Sequence, residues 1–257
     1  MKYTFTVFLL GIMGSLSLCA QSMPAFSITL FELDLGNEKP FQNAQYLTDF
    51  NPNGYNNQPS FFDANTIYLT SDWNSKGQTD IVKLNLLRNA VLKVTDTGDS
   101  EFSPTLTPDG RHFSTITVPG GEVGDAPQLL WKYPIDRSGI GSAVTYGKSN
   151  VGYHCWLNQR QVALFLVQNP ISLVLYDVVD DESIPIEEKV GRCLKKDSQG
   201  NLVFVHKTTS SIWYLKRYNP QTGRTKIIAE TRKGSEDFEI LENGNLIMAR
   251  LKMDSDG

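Results

Sequence analysis

Short apolar runs separated by turn residues dominate the chain after its first two dozen positions. A typical pair spans residues 66–72 and 79–84, with the polar turn Asn74-Ser75-Lys76-Gly77 between them. Runs of this length, rich in β-branched and aromatic residues and bounded by Gly, Pro, Asn or Asp, predict β-strands. Apolar residues at three- and four-residue spacing never persist beyond two turns without Gly, Pro or a β-branched run. We therefore expect almost no helix after the N-terminus.

A unit of about 45 residues recurs along the chain, which is the length of one four-stranded propeller blade. Its clearest copies open at Gln58 and Ser103, and in the second copy Pro108-Asp109-Gly110 sets a tight turn between two strands. Weaker copies of this inner hairpin follow at 155–159, 193–201 and 240–245. The pattern predicts an all-β protein, a β-propeller of four-stranded antiparallel blades with five inner halves.

The outer halves of the blades repeat as well, and the order is permuted so that an outer half comes first. Third strands are predicted at 27–33, 80–84, 128–133, 172–176 and 211–217. The fourth strands that follow them are predicted at 45–48, 90–94, 142–146, 183–186 and 225–229. Because an open ring exposes strand edges, we expect residues 27–50 to close the ring against the C-terminal strands. Residues 23–257 then form one domain.

Residues 58–113 resemble the repeats of the TolB-like β-propeller family, a WD40-like propeller with Pro-Asp-Gly blade repeats. The matching pieces are Gln58-Pro59-Ser60-Phe61, Thr70-Ser71-Asp72, Thr79-Asp80-Ile81 and 103–110. The resemblance implies six blades and a protein-binding role in the periplasm or outside the cell. Since five blade equivalents are visible and the chain stops at a polar turn, 253–257, we expect a six-bladed relative lacking its last portion. A five-bladed ring is the alternative.

The N-terminus has the pattern of a secretory signal peptide, with Lys2 followed by an apolar run from Phe5 to Leu18. Small residues at Ala20 and Ser22 predict a signal of residues 1–22, which implies a periplasmic or extracellular protein without a transmembrane segment in the mature chain. Residues 16–19 also resemble a lipobox, so a lipid anchor at Cys19 and association with the outer membrane are the alternative. Simple export is favoured, because Leu18 stands where the lipobox wants a small residue.

The charge composition argues against one class of function, nucleic-acid binding. The net charge of -4 leaves no excess of Lys and Arg for a phosphate backbone, so no nucleic acid partner is expected.

The mature chain keeps Cys155 and Cys193, at equivalent positions in adjacent blades. Neighbouring inner strands can exceed the Cα separation that a disulfide tolerates, which favours two separate buried thiols.

The chain lacks the sequence motifs of common catalytic and metal sites. None of its three histidines has a second ligand at zinc-site spacing, no Gly-x-Ser-x-Gly elbow occurs, and the acidic run 177–188 lacks calcium-loop spacing. We therefore predict no catalytic residues, no metal and no cofactor, and interpret the acidic run as a solvated turn.

Aromatic residues on loops are the strongest binding candidates. Tyr55, Tyr153 and Trp73, the last flanked by Asp72, lie in predicted loops, and His154 starts an inner strand beside the central channel. Trp73 has a second interpretation, in which it only covers the end of its blade. The sequence favours an exported, non-catalytic scaffold that binds other cell-envelope proteins or an unidentified ligand. The alternative is a propeller enzyme of the sugar lyase, hydrolase or lactonase type that uses channel residues.

Overall fold

The structure is a computed structural model that describes residues 23–75, 77–120 and 126–248. Four consecutive four-stranded antiparallel sheets make up most of it, and each one is built from strands adjacent in sequence. Blade 1 comprises β3 (Asn56–Asp63), β4 (Thr66–Ser71), β5 (Asp80–Asn85) and β6 (Ala90–Lys93). Blade 2 comprises β7 (Ser100–Leu106), β8 (His112–Val118), β9 (Leu129–Pro134) and β10 (Ser142–Ala143).

The next two blades follow the same order from inner to outer strand. Blade 3 comprises β11 (Val151–Trp156), β12 (Gln161–Leu166), β13 (Ser172–Asp177) and β14 (Glu182–Glu188). Blade 4 comprises β15 (Val190–Lys196), β16 (Leu202–His206), β17 (Ile212–Asn219) and β18 (Arg224–Arg232). Two two-stranded sheets flank these blades, β1 (Thr29–Leu33) with β2 (Phe41–Tyr46), and β19 (Phe238–Ile240) with β20 (Leu246–Met248).

The predicted β-propeller architecture is confirmed. The described residues contain five inner hairpins and five outer hairpins, the first of which is an outer one, and they contain no helix. Blade number beyond these halves stays a prediction, and so does the missing last portion. Residues 1–22, with the predicted signal peptide and Cys19, and residues 253–257 lie outside the described residues.

The hydrophobic core lies between neighbouring blades. Side chains from the facing sheets meet there, so the second strand of each blade is buried on both faces, and all six residues of β4 are buried. Blade 3 packs on blade 4 through Leu173, Leu175, Leu202 and Phe204, and blade 1 packs on blade 2 through Tyr68, Ile81, Phe113 and Tyr133.

The two terminal hairpins pack on opposite ends of the row of blades. Ile28 and Leu47 lie against the blade 1 core, and Phe238 lies against Val203 and Leu215 of blade 4. Within the described residues these hairpins are separate sheets. Closure of the ring by residues 27–50 therefore stays a prediction.

One predicted strand is displaced. The sequence places the fourth strand of the first outer half at 45–48, whereas β2 spans Phe41–Tyr46. Thr48 is fully buried beyond the strand, and its hydroxyl accepts a hydrogen bond from the Ile28 amide at 3.2 Å. The residue anchors the hairpin through its side chain, which a strand pattern does not reveal.

Candidate functional site

The innermost strands of the four blades surround a cavity of about 1000 Å³ at the centre of the fold. Its wall is built from β3, β7, β11 and β15, together with Phe26, Tyr55, the turn after β7 and Asp237, which precedes β19. The cavity is lined, among others, by Tyr55, Gln58, Ser103, Tyr153, His154, Arg192 and Asp237. We call it the central channel.

Two neighbouring blades are joined at the channel wall by one glutamine. Gln58 and Ser103 occupy equivalent bulged positions, each with a φ of 54° and each followed by proline. The Gln58 side-chain oxygen accepts hydrogen bonds from the Ser103 amide at 2.9 Å and from the Thr70 hydroxyl at 3.0 Å. This satisfies a backbone donor that the bulge frees from the strand ladder. The pairs Gln58-Pro59 and Ser103-Pro104 mark these two positions in the sequence, but they do not reveal the hydrogen bond between Gln58 and Ser103.

Tyrosines from blades 1 and 3 present aromatic surface to the channel. The Tyr55 ring makes edge-on contacts with Phe26 and Phe102, at centroid distances of 5.8 and 6.5 Å. The Tyr153 ring contacts Phe165 in the same way at 5.5 Å. Burial raises the pKa of both phenols, so both are neutral hydroxyl groups at physiological pH. Rigid amphipathic rings of this kind suit the recognition of a ligand or peptide.

His154 lies in the channel wall as a neutral imidazole. Its Nε2 is 2.7 Å from the Ser114 hydroxyl oxygen, which also accepts a hydrogen bond from Trp156 Nε1 at 2.9 Å. Burial lowers the pKa of His154 to about 3, because a charged ring would be desolvated there without a carboxylate partner. The pKa of His154 therefore lies far below the value near the working pH that a general acid or base needs.

Two basic residues at the channel, Arg192 and Lys195, are paired with acidic residues at the C-terminal hairpin. The Arg192 guanidinium donates to both Asp237 carboxylate oxygens, at 2.8 and 3.3 Å, and this pairing raises the pKa of Arg192. Lys195 Nζ lies 2.5 Å from a Glu239 carboxylate oxygen. Both pairs connect β15 with the start of β19, residues more than 40 positions apart. Planar paired charges of this kind offer hydrogen bonds to a ligand without leaving an isolated buried ion.

Two of the candidate residues lie away from the channel. The Asp72 carboxylate accepts hydrogen bonds from Asn51 Nδ2 at 2.7 Å and from the Tyr55 amide at 2.9 Å. It therefore fixes the backbone of Tyr55. Trp73 is half-buried, packs on the blade 1 core and meets Phe50 edge-on at 5.3 Å. This position matches the interpretation in which Trp73 covers the end of its blade.

Cys155 and Cys193 are free thiols, but Cys193 is only partly buried, whereas the sequence predicted two buried thiols. Cys155 is buried, and burial raises its pKa to about 12. The Cys193 thiol lies 3.3 Å from the carbonyl oxygen of Phe238, and burial raises its pKa as well. Neither thiol is activated as a nucleophile at neutral pH, because the thiolate is the reactive form.

Within the described ranges, no group of three or more His, Cys, Asp or Glu side chains is arranged to hold a metal ion. No helix in the described part of the chain is long and apolar enough to cross a membrane.

Radial four-stranded sheets around a lined channel define a β-propeller. Several solved β-propeller structures superpose on this chain. TolB from Acinetobacter baumannii superposes with a TM-score of 0.61 at 17% identity, over 80% of this chain and 52% of that one. A putative TolB from Agrobacterium tumefaciens gives 0.58 at 14% identity, over 79% and 74%. Oligogalacturonate lyase in complex with manganese gives 0.56 at 12% identity, over 77% and 58%.

The chain has the TolB-like β-propeller fold. It spans about half the length of the A. baumannii TolB chain. No protein-family model matches the sequence, and no curated protein matches it. At these identities the likeness concerns the fold, while function has to be argued from the channel.

Proposed function

We propose that this protein is an exported, non-catalytic binding scaffold whose central channel receives a ligand or a segment of another cell-envelope protein. The observation that carries the proposal is the channel itself, about 1000 Å³ in volume and lined by two tyrosines and an Arg–Asp pair from different blades. Concave sites that combine aromatic surface with a few fixed polar groups are typical of ligand recognition.

The chemistry of the channel supports binding more than turnover. The imidazole of His154 is neutral and engaged with Ser114, and the Cys155 thiol stays protonated at neutral pH. General acid–base and nucleophilic catalysis both need groups whose pKa lies near the working pH or is lowered. The superposition with TolB supports a scaffold, and the one with oligogalacturonate lyase is the basis of the enzyme alternative.

Site-specific photo-cross-linking in the native cell tests the proposal. We expect a photoreactive residue at Tyr153 in the channel to cross-link a defined envelope component, and the same residue at Leu87, 77% exposed on an outer turn, not to do so. Tyr55→Ala in the Tyr153 probe chain should reduce the product. Equal labelling from Leu87 would contradict recognition in the channel, whereas stoichiometric metal together with turnover of an acidic polysaccharide would favour the enzyme.

Export is tested separately. The mature protein recovered from cells should begin at Met23 and be released with the periplasm or the medium. A chain that retains residues 1–22 in the cytoplasm would contradict export, but it would leave the proposed binding role of the channel standing.

A further inference from the structure

Charge is distributed very unevenly over the blades. Residues 190–233, which contain blade 4, hold ten Lys and Arg against two Asp and Glu, although the whole chain has a net charge of -4. The preceding run, 177–188, holds six Asp and Glu and no Lys or Arg. At the outer strands themselves, β14 carries three Glu and no Lys or Arg, whereas β18 carries Arg224, Lys226 and Arg232 against one acidic residue, Glu230.

The outermost strands of these blades are long and have a free edge. β14 and β18 have seven and nine residues, and each is the last strand of its sheet within the described residues. Proteins usually protect such edges from other chains. β14 carries the edge-protecting proline Pro185, but each strand also exposes an isoleucine near its middle, Ile184 with a relative exposure of 59% and Ile227 with 56%.

Both isoleucines face the gap between the two strands. Ile184 is the cross-strand partner of Leu175, which is buried against blade 4, so Ile184 lies on the blade 4 side of its sheet. Ile227 is the partner of Lys216, whose Nζ reaches Glu187 of blade 3 at 2.5 Å. Ile227 therefore lies on the blade 3 side. We call the gap between β14 and β18, flanked by Ile184 and Ile227, the rim groove.

Charges of opposite sign stand on the two sides of the rim groove. On the β14 side, Glu182 is exposed at the first position of the strand; on the β18 side, Arg224 is exposed at the first position and Lys226 two residues later. Neither Glu182 nor Arg224 is held by a neighbouring side chain among the hydrogen bonds and ion pairs of the described residues.

We propose that the protein forms a twofold-symmetric dimer through the rim groove, with the isoleucines at the centre and the opposite charges of β14 and β18 matched between the copies. A twofold axis parallel to the propeller axis and just outside the rim sets β14 of each copy opposite β18 of the other. The contact then forms twice, as an isologous interface requires.

Strand direction makes the charges meet. The fourth strands of all blades run the same way, so Glu182 and Arg224 start β14 and β18 at the same face of the propeller. A rotation about an axis parallel to the propeller axis preserves that height, and Glu182 of one copy faces Arg224 of the other. Four isoleucines fill the centre, which gives the apolar core and charged rim of a specific interface.

Sedimentation of the mature chain against concentration and salt tests the dimer. We expect a weight-average mass that approaches twice the monomer on concentration, and a dissociation constant that rises with salt because the matched charges are exposed. Glu182→Arg and Arg224→Glu should each raise the dissociation constant about tenfold or more. Arg88→Glu, an equal charge reversal on an exposed turn of blade 1, should leave it unchanged.

A charge swap separates this interface from a general charge effect. The double variant Glu182→Arg with Arg224→Glu restores both contacts, and so does an equimolar mixture of the two single variants; both should dimerise again. Ile227→Asp should abolish the dimer while the melting temperature stays within a few degrees. A wild-type chain that stays monomeric, or swaps that fail to restore the dimer, would overturn the proposal and leave these charges as edge protection.

Discussion

Glu101 lies fully buried beside Asp80, and the hydroxyl of Thr95 stands between the two carboxylates, 3.1 Å from one and 3.4 Å from the other. Asp80 is paired with Lys93 at 2.8 Å, whereas Glu101 receives hydrogen bonds from the hydroxyls of Thr97 and Tyr133 and has no cationic partner among the residues that the structure describes. The site joins blades 1 and 2, because the Glu101 amide donates to the Thr79 carbonyl at 2.9 Å.

This arrangement predicts a pH-dependent stability that Glu101→Gln removes. Burial, followed by the charge of Asp80, raises the pKa of Glu101 to about 7. The folded state therefore keeps the Glu101 proton to a higher pH than the unfolded state, which loses it near pH 4.5. The stability that the protonated Glu101 provides is complete below that pH and is lost as pH rises through 7. Urea unfolding at pH 5 and pH 8 should show wild-type stability falling by up to about 3 kcal/mol.

The variant Glu101→Gln keeps the hydrogen-bonding shape without the charge, so its stability should change much less over the same range. Glu38→Gln, on an exposed turn, is the matched control and should keep the wild-type pH dependence. A pH dependence equal in Glu101→Gln and wild type would assign the effect to other groups.

Trp73→Ala should reduce stability more than binding. The ring packs on Phe50 and the blade 1 core, and truncation of a half-buried tryptophan leaves a cavity that costs about 2 kcal/mol. Denaturant unfolding gives the loss, and cross-linking from Tyr153 gives the binding. Unchanged stability with lost cross-linking would make Trp73 the interface anchor that its loop position suggests.

Phe238→Ala should release the C-terminal hairpin from blade 4. Phe238 is buried against Val203 and Leu215, so its truncation should weaken this contact by about 3 kcal/mol. Hydrogen exchange should then speed up in β19 and β20 before the blades, since a two-stranded sheet is not stable alone. Leu246→Ala, at a position 41% exposed, should have little effect. Uniform exchange across all blades would show instead that the hairpin and blades unfold as one unit.

Cys155 should resist thiol reagents until the protein unfolds. Its pKa of about 12 and its burial leave almost no accessible thiolate at neutral pH. In a mature chain with Cys193→Ser, the reaction with a coloured disulfide reagent should follow the denaturant unfolding curve. Rapid labelling of the native chain would show that the channel wall opens locally at β11.

The sequence by itself determined the strands and their grouping into blade halves. Short runs of apolar and β-branched residues, and turn residues such as Pro108-Asp109-Gly110, act over a few positions, so they can be recognised without the fold. It also identified Tyr55, Tyr153 and His154, which the structure brings together in the channel. The strand predicted at 45–48 lies instead at Phe41–Tyr46, because Thr48 acts through its side chain and not through a strand ladder.

Only the tertiary structure decided which side chains from different blades meet. The pairs Arg192–Asp237, Glu101–Asp80 and Gln58–Ser103 join residues from 21 to 45 positions apart, and their contacts depend on how one sheet packs on the next. The same packing turned Trp73 onto its own blade and aligned Ile184 with Ile227 at the rim. Local pattern fixes which face of a strand a residue occupies, but burial, pKa and partner follow from the neighbouring blade.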